Sequence, residues 1–140
     1  MSLPFISAAI IDDDEIYRFI ITRMLKNSGI TIAFQAENGK KGIQQIQTSP
    51  ILPEVVIIDI EMPIMNGFET AQYVKMNWPQ IGIIAHSSLI TNEAQSLMIN
   101  SGADLFLPKP CSAIELIHSI TQLAALKINE ISITRAGASD

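Results

Sequence analysis

The stretch Val55-Val56-Ile57-Ile58-Asp59-Ile60-Glu61-Met62-Pro63, residues 55–63, decides the fold. Four consecutive β-branched apolar residues that end in a carboxylate predict a strand buried on both faces, because a half-exposed strand alternates apolar and polar side chains. A strand is buried on both faces when it lies inside a parallel sheet that helices cover on each side. The stretch therefore predicts a central strand of an α/β sheet, with Asp59 at its carboxyl end.

Similar apolar runs alternate with helical patterns on both sides of this strand. Strict alternation predicts five strands and five helices in three layers, with helices on both faces of a parallel sheet. In open parallel sheets the functional site lies beyond the carboxyl ends of the strands, so the residues that follow each strand matter most. The other runs occupy residues 8–11, 31–35, 81–85 and 105–107, and the helical patterns occupy residues 14–29, 40–49, 68–78, 90–100 and 114–126.

Composition limits the classes of function. A chain of 140 residues with 48% hydrophobic and 16% charged residues is long and apolar enough for one folded domain. The formal net charge of -5 disfavours direct binding to nucleic acid, whose phosphates would repel it. The single cysteine cannot form an internal disulfide, and no apolar run approaches the roughly 20 residues of a membrane span. We therefore expect a cytoplasmic protein without a membrane segment.

The polar residues after the strands form a chemically coherent set. The first strand ends in Asp12 and Asp13, the third in Asp59, the fourth in Ser87, and the fifth leads to Lys109. If the first and third strands are neighbours, the carboxylates converge, and two such charges 4 Å apart repel by roughly 4 kcal/mol at an effective dielectric constant of 20. Carboxylate oxygens without histidine or cysteine nearby favour Mg²⁺. The sequence therefore predicts a magnesium site, with Lys109 neutralising part of the remaining charge.

A simpler interpretation explains part of the acidic run. Residues 12–15 precede a helix, where Asp14 would cap the first turn and Glu15 would complement the helix dipole. One cap needs one carboxylate, so this interpretation accounts less well for Asp12 and Asp13. Asp59 alone would also fit an ordinary loop after a strand.

Taken together, the segments resemble the receiver domain of two-component response regulators over residues 6–126. Residues 10–14 resemble its acidic pair, residues 57–67 its phosphoacceptor loop, residues 84–88 its strand ending in a hydroxyl residue, and residues 102–110 its lysine loop. The resemblance implies a flavodoxin-like (βα)5 fold, a doubly wound parallel sheet of five strands in the order 2-1-3-4-5. It leaves residues 127–140 as a C-terminal extension or linker that we expect to be flexible.

The resemblance also implies roles for the acidic residues. Asp59 would be the phosphoacceptor. Asp13, Asp59 and the backbone carbonyl of Glu61 would bind Mg²⁺, and Asp12 would act on the metal through a bound water. Glu61 stands two residues after the acceptor, at a position that varies in the family, and an acid there could alter the rate of dephosphorylation.

Three further residues receive roles by the same resemblance. Ser87 would donate a hydrogen bond to the phosphoryl group, Lys109 would pair with it, and Phe106 would be the aromatic residue that switches with Ser87. The Lys109-Pro110 peptide bond is cis in this family. His86 departs from the family pattern, which is apolar at this position, and strand alternation points it to the face opposite Ser87.

The implied function is that of a phosphoacceptor signalling domain rather than an enzyme, with intrinsic self-phosphorylation and self-dephosphorylation. Its partners would be a histidine kinase or phosphotransfer protein, a downstream effector protein or output domain, and a second copy of the chain in a homodimer. A haloacid-dehalogenase-like phosphohydrolase is one alternative, although it needs an Asp and a Thr where Glu61 and Pro63 stand. A flavodoxin-like FMN carrier is a further alternative, but the three acids would repel the phosphate of its cofactor. The remaining alternative is a non-phosphorylated interaction module of receiver fold.

Overall fold

A computed structural model describes residues 5–138, with side chains described for residues 5–128. Within this part of the chain all neighbouring strands pair in parallel, in the order β2-β1-β3-β4-β5, which confirms the predicted class and topology. The strands are β1 (Ser7–Ile11), β2 (Thr31–Ala36), β3 (Val55–Ile58), β4 (Gly82–Ser87) and β5 (Leu105–Pro108). The helices are α1 (Glu15–Asn27), α2 (Gly39–Thr48), α3 (Gly67–Asn77), α4 (Asn92–Asn100) and α5 (Ala113–Ala138).

Two apolar layers hold the helices against the sheet. On one face, side chains of α2, α3 and α4 such as Ile46, Val74 and Met98 pack against the sheet. On the other face α1 and α5 supply Leu25 and Leu116. All four residues of β3 are buried, as the apolar stretch predicts. Each fully buried aliphatic side chain contributes about 1.5 to 3 kcal/mol, so this double burial fixes which strand is central.

Strand β2 differs from the expectation that all strands are apolar on both faces. Its exposure alternates, with Thr31, Ala33 and Gln35 exposed and Ile32 and Phe34 half-buried. The reason is its position at the edge of the sheet, beside β1 only.

Side-chain caps fix where the helices begin. Asp14 accepts hydrogen bonds from the first turn of α1, and Asn66 with Glu69 forms a capping box at α3. Thr91 caps α4 by accepting from the amide of Ala94, so this helix begins two residues later than the sequence predicts. The helix begins after Thr91 because the threonine oxygen accepts a hydrogen bond from an amide that an apolar residue at this position would leave without a partner.

Helix α5 continues to Ala138, beyond the predicted end of the domain at residue 126. Lys127, the first residue of the predicted extension, is buried, and its ammonium lies 3.3 Å from a carboxylate oxygen of Asp104. The division at residue 126 and the flexibility of the extension stay predictions, and Ser139 and Asp140 lie outside the described residues. Among the described residues, no helix has both the length and the apolar character to cross a membrane.

Candidate functional site

Three aspartates converge at the carboxyl edge of the sheet. Strands β1 and β3 are neighbours, and Ile11 pairs with Ile58, so the residues that follow them leave the sheet side by side. Carboxylate oxygens of Asp12, Asp13 and Asp59 lie within 4.8 Å of one another. Asp12 and Asp59 are buried and Asp13 is exposed. The predicted cluster is therefore present.

Among the residues whose side chains are described, one lysine forms ion pairs with this cluster, from the loop after β5. The ammonium nitrogen of Lys109 lies 2.6 Å from Oδ2 of Asp12 and 3.3 Å from Oδ2 of Asp59. One cation beside three carboxylates leaves excess negative charge in a partly buried place, where repulsion is stronger than in water. The hard oxygen donors and the excess charge fit Mg²⁺, which suits carboxylate sites that keep several waters.

Burial and charge act in opposite directions on the two central groups. Burial raises the pKa of Asp59 above its ordinary value, although the nearby charge of Lys109 opposes this shift. For Lys109 burial acts to lower the pKa, but the hydrogen bond to Asp12 and the charge of Asp59 outweigh it, and the pKa is raised. The shift at Lys109 therefore favours its charged form, whereas the shift at Asp59 disfavours its charged form.

Backbone groups orient the two buried carboxylates. Oδ1 of Asp59 accepts a hydrogen bond from the amide of Ile60 at 2.8 Å, which leaves Oδ2 facing Lys109. Oδ1 of Asp12 accepts from the amide of Asp14 at 2.9 Å. The side chains are held by the chain immediately after each strand, so their geometry is set by the strands themselves.

Ser87 and Phe106 occupy the adjoining strands. Ser87 is buried at the end of β4, where its hydroxyl oxygen accepts from the amide of Leu89 at 3.0 Å. Its carbonyl accepts from the amide of Lys109 at 2.9 Å and ties the lysine loop to β4. Phe106 pairs with Ala85 in the sheet and packs, half-buried, against the layer of α2, α3 and α4. The Lys109-Pro110 bond is cis.

The loop after β3 carries Glu61, whose side chain is exposed. Three residues later, Ile64 has a φ of 70° and its side chain is 76% exposed. A β-branched residue rarely adopts this left-handed conformation, because its side chain crowds the backbone. The loop beside the site is therefore locally strained.

Sequence reasoning missed two side chains of α1 that reach the site. Lys109 lies over the ring of Tyr17, 4.3 Å from its centroid. Arg18 donates a hydrogen bond to the carbonyl of Asp12 at 2.6 Å. Tyr17 precedes the buried Ile21 and Leu25 at intervals of four, which is a signal that it faces the sheet.

The chain is similar in sequence to parts of longer proteins. Hybrid signal transduction histidine kinase A of Dictyostelium discoideum is 30% identical over 120 residues, covering 82% of this chain and 6% of that protein. Protein-glutamate methylesterase/protein-glutamine glutaminase 1 of Oleidesulfovibrio alaskensis is 33% identical over 134 residues, covering 93% of this chain and 36% of that protein. The chain thus spans far less than two thirds of the length of these curated relatives.

Solved structures share the fold. A response regulator receiver domain protein (CheY-like) from Methanospirillum hungatei aligns with a TM-score of 0.83 at 20% identity, covering 91% of this chain and 99% of that one. The response regulator domain of Thermotoga maritima CheB aligns with a TM-score of 0.78 at 24% identity, covering 87% of this chain and 98% of that one.

Neither a haloacid-dehalogenase-like phosphohydrolase nor a non-phosphorylated interaction module of receiver fold is favoured by these similarities. The family model described as the response regulator receiver domain matches residues 8–121, most of the chain. The chain therefore belongs to the response regulator receiver domain family of two-component signalling.

Proposed function

We propose that Asp59 accepts a phosphoryl group from a phosphohistidine on a kinase or phosphotransfer protein, and that the domain thereby switches a partner-binding face. The observation that carries this proposal is the position of Asp59. It directly follows the central strand, one of its oxygens is held by the amide of Ile60, and the other faces the ammonium of Lys109.

The charges explain how the transfer proceeds. Oδ2 of Asp59 forms a bond to phosphorus while the bond from phosphorus to the donor nitrogen or oxygen breaks, and the donor leaves with the electron pair. A carboxylate attacks an anionic phosphoryl group slowly unless nearby cations stabilise the charge of the transferring group. Lys109 supplies one such cation within 3.3 Å of the acceptor oxygen. The product is an acyl phosphate that water hydrolyses, which restores the carboxylate.

The metal-binding set in this proposal consists of Asp13, Asp59 and the carbonyl of Glu61, with Asp12 acting through a water. Bound Mg²⁺ would neutralise charge on the phosphoryl oxygens and on the clustered carboxylates. The convergence of three carboxylates within 4.8 Å supports this set. A partial cage with retained waters binds Mg²⁺ weakly, so removing the ion does not unfold the domain.

Ser87 and Phe106 are the switch residues of this proposal. The Ser87 hydroxyl, which now accepts from the amide of Leu89, turns to donate to the phosphoryl group. Its movement vacates space next to β4 that the half-buried ring of Phe106 enters, because Phe106 pairs with Ala85 on the neighbouring strand. The face formed by α4, β5 and α5 then repacks and offers a surface to an effector protein, an output domain or a second copy of the chain.

The cellular setting belongs to the same proposal. We place the domain in the cytoplasm, where it binds no nucleic acid directly, since its net charge is -5.

Phosphorylation is tested by mass spectrometry of the intact protein. Acetyl phosphate and Mg²⁺ should add one phosphoryl mass to the wild type, and base or hydroxylamine should remove it, as expected of an acyl phosphate. The D59N variant should gain no mass. The matched control is D104N, which removes another aspartate that flanks a strand and should leave the mass gain intact. A D59N variant phosphorylated at the wild-type rate would refute the assignment.

The switch is tested by the amide NMR spectrum. Beryllofluoride with Mg²⁺ should shift amide signals along residues 87–100 and 105–117 in the wild type. In S87A the shifts should stay near Asp59, because the hydroxyl that links the site to Phe106 is missing. Equal long-range shifts in both proteins would contradict the coupling but not the phosphorylation chemistry.

A further inference from the structure

A series of contacts connects Lys109 with Tyr17, His86 and the carbonyl of Leu107. The ammonium of Lys109 lies over the face of the Tyr17 ring, 4.3 Å from the centroid. The hydroxyl of Tyr17 lies 2.7 Å from Nε2 of His86. Nδ1 of His86 lies 2.6 Å from the carbonyl oxygen of Leu107, two residues before Lys109.

The chemistry of the groups decides which atom donates and which accepts in each of these hydrogen bonds. The Leu107 carbonyl only accepts, so Nδ1 of His86 carries the proton and donates it. In a neutral imidazole Nε2 then accepts, and the Tyr17 hydroxyl is its donor. Burial raises the pKa of Tyr17 to about 12, so the hydroxyl keeps its proton at neutral pH. Burial also lowers the pKa of His86, although the hydrogen bond to Leu107 opposes this shift.

The histidine therefore ties a tyrosine to the strand that leads into the lysine loop. His86 is 1% exposed, so the orientation of its ring is set by its packing and by these two bonds. The Sγ atom of Cys111 lies 3.8 Å from Nε2, beside the bond from Tyr17. With its hydroxyl held at one end, the Tyr17 ring presents its face at a fixed place over which the ammonium lies.

We propose that Tyr17 and His86 are positioning residues for Lys109, with the His86 imidazole fixing the Tyr17 ring and the ring face holding the ammonium beside Asp59. This inference rests on the proposed function of Lys109 in phosphoryl transfer. Ammonium and ring attract each other because the ring face carries partial negative charge. The contact restrains the flexible side chain of Lys109 without forming a bond that a phosphoryl group would have to compete with.

Two variants of Tyr17 separate the ring from its hydroxyl. Y17L removes the ring, and Y17F keeps the ring but cuts the bond to His86. Since a cation contact with an aromatic face changes an equilibrium by about twofold to thirtyfold, we expect Y17L to lower the phosphorylation rate with acetyl phosphate about fivefold. Y17F should lower the rate about twofold. The matched control is F19L, which removes an aromatic ring from the exposed side of the same helix and should leave the rate unchanged.

The position of Lys109 is measured directly by NMR. The Tyr17 ring should shift the proton signal of the Lys109 ε-methylene upfield, and this shift should vanish in Y17L and shrink in Y17F. The ε-methylene shift is not expected to move in F19L. Loss of stability alone would not change this signal in a folded protein, so the shift distinguishes positioning from a merely structural role. If Y17L does not fold, Y17F gives the same test in both measurements.

The outcomes separate this inference from the proposed function. A wild type that gains no phosphoryl mass refutes the proposed function, and with it the catalytic purpose of the positioning. A wild type that is phosphorylated, with Y17F and Y17L equal to it in rate, refutes the inference alone. An unchanged ε-methylene shift in the Tyr17 variants also refutes it, whatever the rates.

Discussion

Acidic residues have different surroundings at the two ends of the strands. At the edge where the strands begin, Glu54 accepts from both the amide and the hydroxyl of Ser7 at 2.7 Å. Asp104 accepts from the amide of Ile83 at 2.8 Å and lies 3.3 Å from the ammonium of Lys127. A second lysine, Lys75, lies 3.5 Å from the same carboxylate. The Asp104 carboxylate therefore has two cations beside it, and Glu54 is not crowded by a second acid in a metal-type cluster among the described residues.

At the edge where the strands end, three carboxylates converge and one lysine contacts two of them. Burial raises the pKa of Asp59, which means that its charged form is disfavoured in the folded state. The difference teaches that acids are fully partnered at one end of the strands, whereas negative charge is left in excess at the other end, where we propose the chemistry.

The largest effect on stability should come from Asp104, at the end of the sheet where the strands begin. D104A removes the carboxylate from Lys127, which is buried, and takes the side-chain acceptor from the amide of Ile83. We expect the free energy of unfolding to fall by about 2 to 3 kcal/mol in urea denaturation. D104N keeps an acceptor for the amide and should lose less. A loss below about 1 kcal/mol in D104A would show that this edge is not held by its charges.

A substitution at Ile64, in the strained loop after β3, should increase the free energy of unfolding. Asn adopts a left-handed conformation more readily than Ile, so I64N should raise the free energy of unfolding by about 1 kcal/mol. Little burial is lost, because Ile64 is 76% exposed. Ile51 is equally exposed and is not among the described residues of positive φ, so I51N is the control and should give no gain. Equal effects in both variants would argue against strain at Ile64.

Removing one charge from the aspartate cluster should increase the free energy of unfolding by a smaller amount. D13N relieves repulsion among the carboxylates and should raise the free energy of unfolding by about 0.5 kcal/mol in metal-free buffer, measured by thermal melting. Mg²⁺ should raise the melting temperature of the wild type and have less effect on D13N, because a ligand stabilises the state that binds it. E93Q, which removes an exposed acid of α4, should not gain stability. A lowered melting temperature in D13N would count against repulsion in the cluster.

The smallest effect that we expect is a dependence on pH. Because burial raises the pKa of Asp59 in the folded state, the folded protein binds more protons there than the unfolded chain between the two pKa values. Stability attributable to this group therefore falls as pH rises from about 4 through the raised pKa. In metal-free buffer D59N should match the wild type at the acidic end and exceed it at neutral pH. A stability difference that is constant across this range would contradict the shift.

Local patterns in the sequence were sufficient for much of the fold and for the identity of the acids. The apolar run of β3 indicated the central strand, and the polar residues after β1, β3 and β5 indicated the site, since parallel strands end at one edge. The resemblance to receiver domains supplied the strand order. The start of α4 was wrong by two residues because periodicity does not show which polar residue caps a helix, and Thr91 does so here.

Other features depend on contacts between distant parts of the chain and were decided by the tertiary structure. Lys109 and Asp12 are 97 residues apart, and the pairing of β1 with β3, β3 with β4 and β4 with β5 brings the lysine loop near the acids. Tyr17 and His86 are 69 residues apart, and neither residue alone signals a partner. The sequence by itself determined which side chains stand at the strand ends, because that follows from local periodicity. The charge balance at Asp59 and the position of the Tyr17 ring beneath the Lys109 ammonium arise only when the sheet and helices pack, because burial and distance then set the energies.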